Sequence, residues 1–501
     1  MAQCISRFRL AQPPQQVTRD TTPPLAGVTS WNRLPQDIQR YILDSLFHQY
    51  PRRRYIYAAV CREWRTFMEG RTFRNLTICQ HGVMGLARLS AQPRAAIQHL
   101  WFNIELMDTN CRDCFAANIQ PSPTFNRSVA PGPTTVPTPV PNPEHVLYQL
   151  FKILSFWDCT ERGLTLEFNA HDVLEQAHWL KNWFIGCPGE SHRIPVLTVD
   201  PRHDWRTVTV DDVAKAMDAC FRPLSLTYDM KIPLADAVTK FVIRRYCRNR
   251  FRPSDIARLV NACPRLLHLH LETWAHSNAS DIISQHPTNG GQEYDLIANI
   301  HPSTLRTLTE SENTKQFAAR SLDLEVLSVS FMTSAEDFFA RCQSDWTWKN
   351  LQTIILTTRQ FIHDMGSEVV SALLQDAARV ALCMPRLETM VLWNASRMNH
   401  ATSFTYHHRT KVATITWCST VDLDFDNHTV QAWKEVARKQ GQPYPYFWSE
   451  KRRIQRAEII SLGHAIRLLE LPSQVIDPES RRQIEKEYEV PNIPAIHHTP
   501  L

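Results

Sequence analysis

Leu266-Leu267-His268-Leu269-His270-Leu271 alternates apolar and polar side chains over its last four residues, the pattern of a strand with one buried face. The same form, Leu-x-x-Leu-x-Leu with apolar replacements, recurs at Ile97–Phe102, Leu324–Val329, Leu351–Leu356 and Leu387–Leu392. Partial copies stand at Leu164–Phe168, Leu224–Leu226 and Leu305–Leu308. Working outward, a second period precedes several copies. Leu147, Leu150, Phe151 and Leu154 come before Leu164; Val213, Ala216, Met217 and Cys220 before Leu224; Ile256, Leu259, Val260 and Cys263 before Leu266. Each set has the spacing of an amphipathic helix. Val370, Leu373, Leu374, Ala377 and Ala381 repeat it ahead of Pro385. The predicted unit is helix, short turn, strand. Iterating it lays strands side by side and parallel, with the helices outside, because a parallel pair needs a crossover connection. The expected fold class is therefore α/β.

On these segments the chain resembles a leucine-rich-repeat solenoid of degenerate type. The full copies from Leu266 onward, with the partial one at Leu305, start at 266, 305, 324, 351 and 387, and spacings of 39, 19, 27 and 36 make the array irregular, against about 20–29 in regular repeats. An ordinary α/β domain with leucine-rich strands fits the same residues. In a solenoid the side chains between the core positions line the concave face: His99, Trp101, Asn103, Thr165, Glu167, His268, His270, Glu272, Ser328, Ser330, Thr353, Thr357, Thr389, Val391 and Trp393. Curved arrays hold extended partners on such faces, and tryptophan among polar groups is an interface mixture. Of these, His99, Trp101, Asn103, Glu167, His268, His270, Glu272, Ser328, Thr353 and Trp393 are the target-binding candidates. The alternative is that terminal segments cover Trp101 and Trp393.

Leu34-Pro35 opens a different region. Proline suits a helix start, and Ile38, Ile42, Leu43 and Leu46 then form one apolar stripe. After Pro51 and the basic run Arg52 to Arg54, read as a solvated loop, Tyr57, Val60, Cys61, Trp64 and Met68 fall at helical spacing towards Gly70. So few residues bury little surface alone, which leaves apolar area for a partner or for the rest of the chain.

The Leu-Pro pair, the Ile-x-x-x-Ile-Leu helix, Val60-Cys61-x-x-Trp64 and Phe73-Arg74-Asn75-Leu76 resemble an F-box. The segment between Leu46 and Val60 is longer than the common form and carries Tyr50, Arg52, Arg53, Arg54 and Tyr55 where many members are leucine-rich. The resemblance implies docking on the Skp-type adaptor of a cullin-RING ubiquitin ligase through Leu34, Pro35, Ile38, Ile42, Leu43, Leu46, Val60, Cys61 and Trp64. The chain then reads as a substrate-recognition subunit binding a target protein through its repeats, with catalysis left to other subunits. The alternative is a non-catalytic interaction scaffold whose F-box-like helices are structural only.

This organisation gives a disordered tail over 1–28, the F-box module over 29–78, the repeat domain over 79–428 with a proline-rich surface insertion at 121–143, and a C-terminal helical segment and tail over 429–501. Within the last part Val412–Trp417 and Val421–Phe425 read as strands, and 429–438 and 451–469 as helices.

With 43% hydrophobic and 21% charged residues the 501-residue chain has the composition of a folded globular protein. A net charge of +5 is too small to argue for nucleic-acid binding. No apolar run reaches the length of a membrane span and Met1 to Leu10 lacks the core of a secretory signal, so a cytoplasmic or nuclear protein is expected. The thirteen cysteines are scattered, and Cys220, Cys263 and Cys383 sit on apolar faces, as buried thiols in a reducing compartment do. Cys111-Arg112-Asp113-Cys114 has zinc-ligand spacing but no second pair nearby, and reads as loop cysteines rather than as a site completed by His81 or His99. Asp422, Asp424 and Asp426 share one side of a strand and read as a solvated edge; His407-His408-Arg409 reads as an isolated polar run. Cys61 reads as a buried stripe residue, not a nucleophile. No phosphate loop, dinucleotide fingerprint, His-Glu-x-x-His or serine elbow is present, and glycine is scarce, at 13 residues. Neither a metal nor a cofactor is expected, and the chain is not read as an enzyme.

Overall fold

A computed structural model describes residues 31–106, 142–172, 224, 226, 231–244, 247, 251–272, 307–310, 317–361, 366–396, 400–409, 412–440, 446–459, 462–472, 474–478, 480 and 481. The expected tail at 1–28, nearly all of the proline-rich insertion, the Cys111–Cys114 pair and the helix ahead of Leu224 lie outside these residues.

Among them the chain is mixed α/β, built on one open sheet of twelve strands that lie in the order of the sequence. These are β1 (Asn75–Cys79), β2 (His99–Leu106), β3 (Leu164–Asp172), β4 (Val238–Ile243), β5 (His268–Leu271), β6 (Thr307–Glu310), β7 (Val326–Ser334), β8 (Thr353–Thr357), β9 (Thr389–Ser396), β10 (His400–Arg409), β11 (Val412–Ser419) and β12 (Tyr446–Arg453). Strands β1 to β9 are parallel. Their register aligns one apolar row: Leu76, Leu100, Leu166, Phe241, Leu269, Leu308, Leu327, Ile354 and Met390 pair in turn across nine strands. Slipping any strand by one residue would carry its share of that row to the opposite face, so the row fixes the register.

The helices are α1 (Gln36–Gln49), α2 (Arg54–Ala58), α3 (Arg62–Thr72), α4 (Val83–Leu86), α5 (Ala91–Ala96), α6 (Pro143–Leu154), α7 (Pro253–Asn261), α8 (Phe317–Arg320), α9 (Ala335–Arg341), α10 (Ser367–Ala381), α11 (Asn427–Gln440) and α12 (Leu462–Leu468). Helix α6 starts at Pro143 under an Asn142 cap, whose side chain accepts the Glu144 amide at 2.9 Å. Its Val146, Leu147, Leu150, Phe151 and Leu154 are buried, as the spacing predicts. They join the main core, which runs the length of the sheet on the side of the apolar row. Phe168 lies at its centre, ringed by Phe102, Phe151, Phe241 and Phe251 with centroids 5.2–6.4 Å away.

The parallel order ends where the connection becomes too short for a crossover. Only three residues separate β9 from β10, and β9, β10 and β11 are antiparallel. The strand β10 contains His407-His408-Arg409, which is not an isolated run. Helix α11 restores a crossover, and β12 lies parallel to β11. Three further expectations change. Leu224 and Leu226, the described residues of that partial copy, are in no strand; the fourth strand is Val238–Ile243, which lacks the leucine signature. Val421–Phe425 is irregular, and the helix expected from residue 451 is replaced by β12, a 3-10 turn at Arg456–Glu458 and the short α12. The strand β12 is an exposed edge, so its residues carry no alternation.

The aspartate trio is divided. Lys451 pairs with Asp424 and lies 3.7 Å from Asp422. Asp426 caps α11, accepting the Thr429 amide at 2.8 Å and hydroxyl at 2.7 Å. Burial opposes its ionisation, but hydrogen bonds from Ser371 and Thr429 hold its carboxyl at about 2. Cys263 is buried and its thiol pushed up by that burial, while Cys383 is half-buried.

Gly163 leads into β3 at φ +64°, and an added Cβ would stand 1.9 Å from Thr239 Oγ1 of the neighbouring strand. Left-handed backbone costs an L-residue roughly 1–2 kcal/mol before any clash. Gly163→Ala is expected to lower unfolding free energy in urea by at least about that amount, and Gly163→Ala/Thr239→Ala to recover only part of the steric cost, because the Cβ of residue 239 itself stands 2.7 Å from the added one.

Candidate functional site

The N-terminal helices have a small core of their own, formed by Leu43, Phe47, Ala58 and Met68. Pro35 sits at the N-cap of α1, and the Gln39 amide reaches back to the carbonyls of Trp31 and Leu34 at 2.9 and 3.1 Å. The basic run is not a solvated loop. Arg54 begins α2, donates to the Phe47 carbonyl at 3.0 Å and holds its guanidinium 3.6 Å from the Phe47 ring centroid, while Arg71 lies 5.9 Å from the same ring and pairs with Asp44. The long segment between Leu46 and Val60 is thus tied to α1 by its own arginine.

The second predicted helix is two helices. Turn bonds from the Ala59 and Val60 amides close α2, and Cys61, in extended conformation, precedes α3 as its N-cap. Cys61 is therefore exposed rather than buried in a stripe. Trp64 packs between Trp31 and Tyr57, with centroids 5.1 and 6.2 Å away. Of the adaptor candidates, Leu43 is buried; Leu34, Ile42, Leu46 and Trp64 are half-buried; Pro35, Ile38, Val60 and Cys61 are exposed. Six of the fourteen exposed large hydrophobic residues among the described ones fall between positions 38 and 60: Ile38, Tyr41, Tyr50, Tyr55, Ile56 and Val60. That density on one small unit marks a surface suited to association. Tyr41 and Ile56 were not singled out from the sequence, because they lie off the apolar stripes. An open groove of about 550 Å³ between α1 and α3 is lined by Arg40, Leu43, Arg62, Glu63, Thr66 and Phe67.

The second region is the sheet face opposite the apolar row. Trp101, Glu167, His270, Ser328, Ile355 and Val391 lie on one register line across it. The sequence predicts an open face here; the structure does not show one. Trp101, Asn103, Glu167, Ser328 and Trp393 are buried, His99, His270, Glu272 and Thr353 are half-buried, and His268 alone of the ten candidates is exposed. Towards the C-terminal end Ile355, Val391, Trp393, Ala395, Ala401 and Cys418 form a second core with Ile454, Ile459, Ala465, Ile466, Leu469, Leu471 and Val475. Trp393 is a packed residue, not an exposed anchor. Helix α12 with Leu469, Leu471, Val475, Asp477 and Ser480 forms the covering layer, so for Trp393 the alternative of cover by a terminal segment holds; which residues would supply it was not legible, because Leu469, Leu471 and Val475 have no regular period.

Charge continues what apolar packing begins. His99 Nε2 lies 2.7 Å from Glu167 Oε2, Arg244 Nη2 lies 3.1 Å from the same oxygen, and Arg244 Nε lies 3.4 Å from Asp477 Oδ1. The Asp477 amide donates to Glu272 Oε1 at 2.9 Å, His270 Nε2 lies 3.0 Å from that oxygen, and the Ser480 hydroxyl donates to Glu272 Oε2. Strands β2 to β5 and the C-terminal segment are thus joined through groups that are nearly all shielded from water. Arg244 and Asp477 were missed in the sequence: nothing in it relates position 244 to position 477.

No helix among the described residues is long and apolar enough to cross a membrane. Residues 276–477 match the model of a family described as Family of unknown function (DUF6546). The matched stretch takes in β6 to β12 and the covering layer as far as Asp477, and leaves out the N-terminal helices. Comparison with the curated proteins gives no match.

The carboxyl of Glu272 measures the covering segment. Burial opposes its ionisation, but His270, Ser480 and the Asp477 amide lower it from 4.5 to about 2. A carboxyl lowered on folding stabilises the protein above its unfolded value and loses that contribution as pH falls through the folded one. The stability advantage of wild type over Glu272→Gln, measured in urea, is expected to be full above about pH 4.5 and to shrink towards pH 2. At neutral pH the variant should exchange amide hydrogens faster over 471–481, with α6 and α10 unchanged.

Proposed function

We propose that this chain is a substrate-recognition subunit of a Skp-cullin-F-box type ubiquitin ligase: the N-terminal helices dock on the adaptor, and the sheet domain, read as an irregular leucine-rich-repeat solenoid, holds a target protein. The observation that carries the reading is the exposure of the apolar side chains Ile38, Tyr41, Ile56 and Val60 on a unit whose own core is satisfied by Leu43, Phe47, Ala58 and Met68. It coincides with the Leu34-Pro35 and Val60-Cys61-x-x-Trp64 resemblance. In-register pairing of Leu76 through Met390 supports the repeat reading. The role is non-catalytic: holding a target near a ligase raises its effective concentration there. With Leu469, Leu471 and Val475 packed on Ile355, Val391 and Trp393, and Asp477 and Ser480 held beside β4 and β5, the target is engaged around exposed His268 and half-buried His99 and Thr353, not at Trp393. The cytoplasm or nucleus, where such ligases work, is the expected location.

Exposure decides the choice of variants. Ile38→Asp/Val60→Asp alters surface positions, so folding should persist by circular dichroism while co-purification with a recombinant Skp-type adaptor falls at least tenfold. Leu34→Ala/Pro35→Ala should weaken it as well. An intact chain that does not bind the adaptor would sink this reading and leave the interaction scaffold.

A further inference from the structure

The carboxyl ends of β1 and β2 bring together three residues that the adaptor and target surfaces do not use. Cys79 closes β1, His81 follows in the 3-10 turn Gln80–Gly82, and Glu105 lies next to last in β2. The Cys79 thiol, a ring nitrogen of His81 and a carboxylate oxygen of Glu105 all lie within 4.8 Å of one another. Thiolate, imidazole and carboxylate are the three ligand types that zinc takes.

The arrangement is held by a residue that is not itself a ligand. Gln80 is buried, and its side-chain amide spans the backbone of Glu105: Nε2 donates to the Glu105 carbonyl at 2.7 Å, and the Glu105 amide donates to Oε1 at 3.0 Å. This two-point clasp sets the height of Glu105 relative to its neighbours Cys79 and His81. Burial pushes the Cys79 thiol up, and the backbone amides of His81 and Gly82 act against that shift by favouring the thiolate charge. Glu105 opposes that charge, and a dication between the two groups would turn the repulsion into attraction.

We propose that Cys79, His81 and Glu105 form a binding site for a divalent transition-metal ion of the zinc class, with water as the fourth ligand. At bond lengths of about 2.0–2.3 Å a tetrahedral ion holds its ligand atoms roughly 3.3–3.7 Å apart, so the side chains close by about an ångström through rotation of exposed His81 and half-buried Glu105. Binding replaces the S–H bond of Cys79 by a sulfur–metal bond, and the proton passes to solvent. The ion clamps β1, the edge strand, to β2 just beyond the N-terminal helices. The site does not depend on the proposed ligase role.

The test is titration of the full-length, chelator-stripped chain with Co²⁺ as optical probe, followed by Zn²⁺. Wild type should show sulfur-to-cobalt charge-transfer absorption that Zn²⁺ abolishes. Cys79→Ser should lose the signal of one equivalent, leaving any contributed by the other cysteines, and His81→Ala and Glu105→Gln should each weaken affinity at least tenfold. His81 is exposed and its variant should keep the fold, so misfolding of Cys79→Ser would not blur the result. Wild type without charge-transfer absorption, or His81→Ala and Glu105→Gln titrating as wild type does, would overturn the site.

Discussion

The row of apolar side chains that passes from Leu76 to Met390 is the constraint on which the sheet depends. Each strand contributes one residue to it and the next residue in the same strand faces the other way, so the row sets both the register and the identity of the two faces. The helices cover one face because they are the crossovers that parallel pairing demands. Where that demand lapses, between β9 and β10, the pairing inverts at once.

Covering one face leaves the other to be dealt with, and the protein does so unevenly. Near β8 to β11 it uses a hydrophobic layer built from Ile454 to Val475. Near β2 to β5 it uses charge, with Arg244 lying between Glu167 and Asp477 and Glu272 holding the 477–480 backbone and hydroxyl. Desolvating an ion pair offsets much of its Coulombic attraction, so these groups add less net stability than their distances suggest, but removing one partner strands the other. Their effect is specificity: they determine where the C-terminal segment lies on the sheet. A face closed in this way leaves less surface for a partner than a solenoid with a bare concavity.

The N-terminal unit follows a different logic. Its core of four buried side chains is small for a folding unit, and cation–π contact of Arg54 with Phe47 adds of the order of 0.5–2 kcal/mol. Arg54, within the arginine-rich segment between Leu46 and Val60, thus has a local structural task, while Ile38, Tyr41, Ile56 and Val60 are left exposed.

Periodicity alone determined much of the scaffold. The strands at His99, Leu164, His268, Val326, Thr353 and Thr389, and the helices at 147–154, 256–260 and 370–381, were legible because a buried face writes a period of two or of 3.6 into the sequence. So was the stripe of α1, since Pro35 marks where that helix must begin. Elements with both faces covered, such as β4, or with both faces wet, such as β12, write no such period and were missed. The candidate sites were less legible still. Cys79 and Glu105 are 26 residues apart and meet only through the β1–β2 register, and Arg244 and Asp477 meet only because the C-terminal segment crosses the sheet. Periodicity records what a side chain's own element needs; tertiary structure alone decides which elements share a surface, and therefore which polar groups face one another.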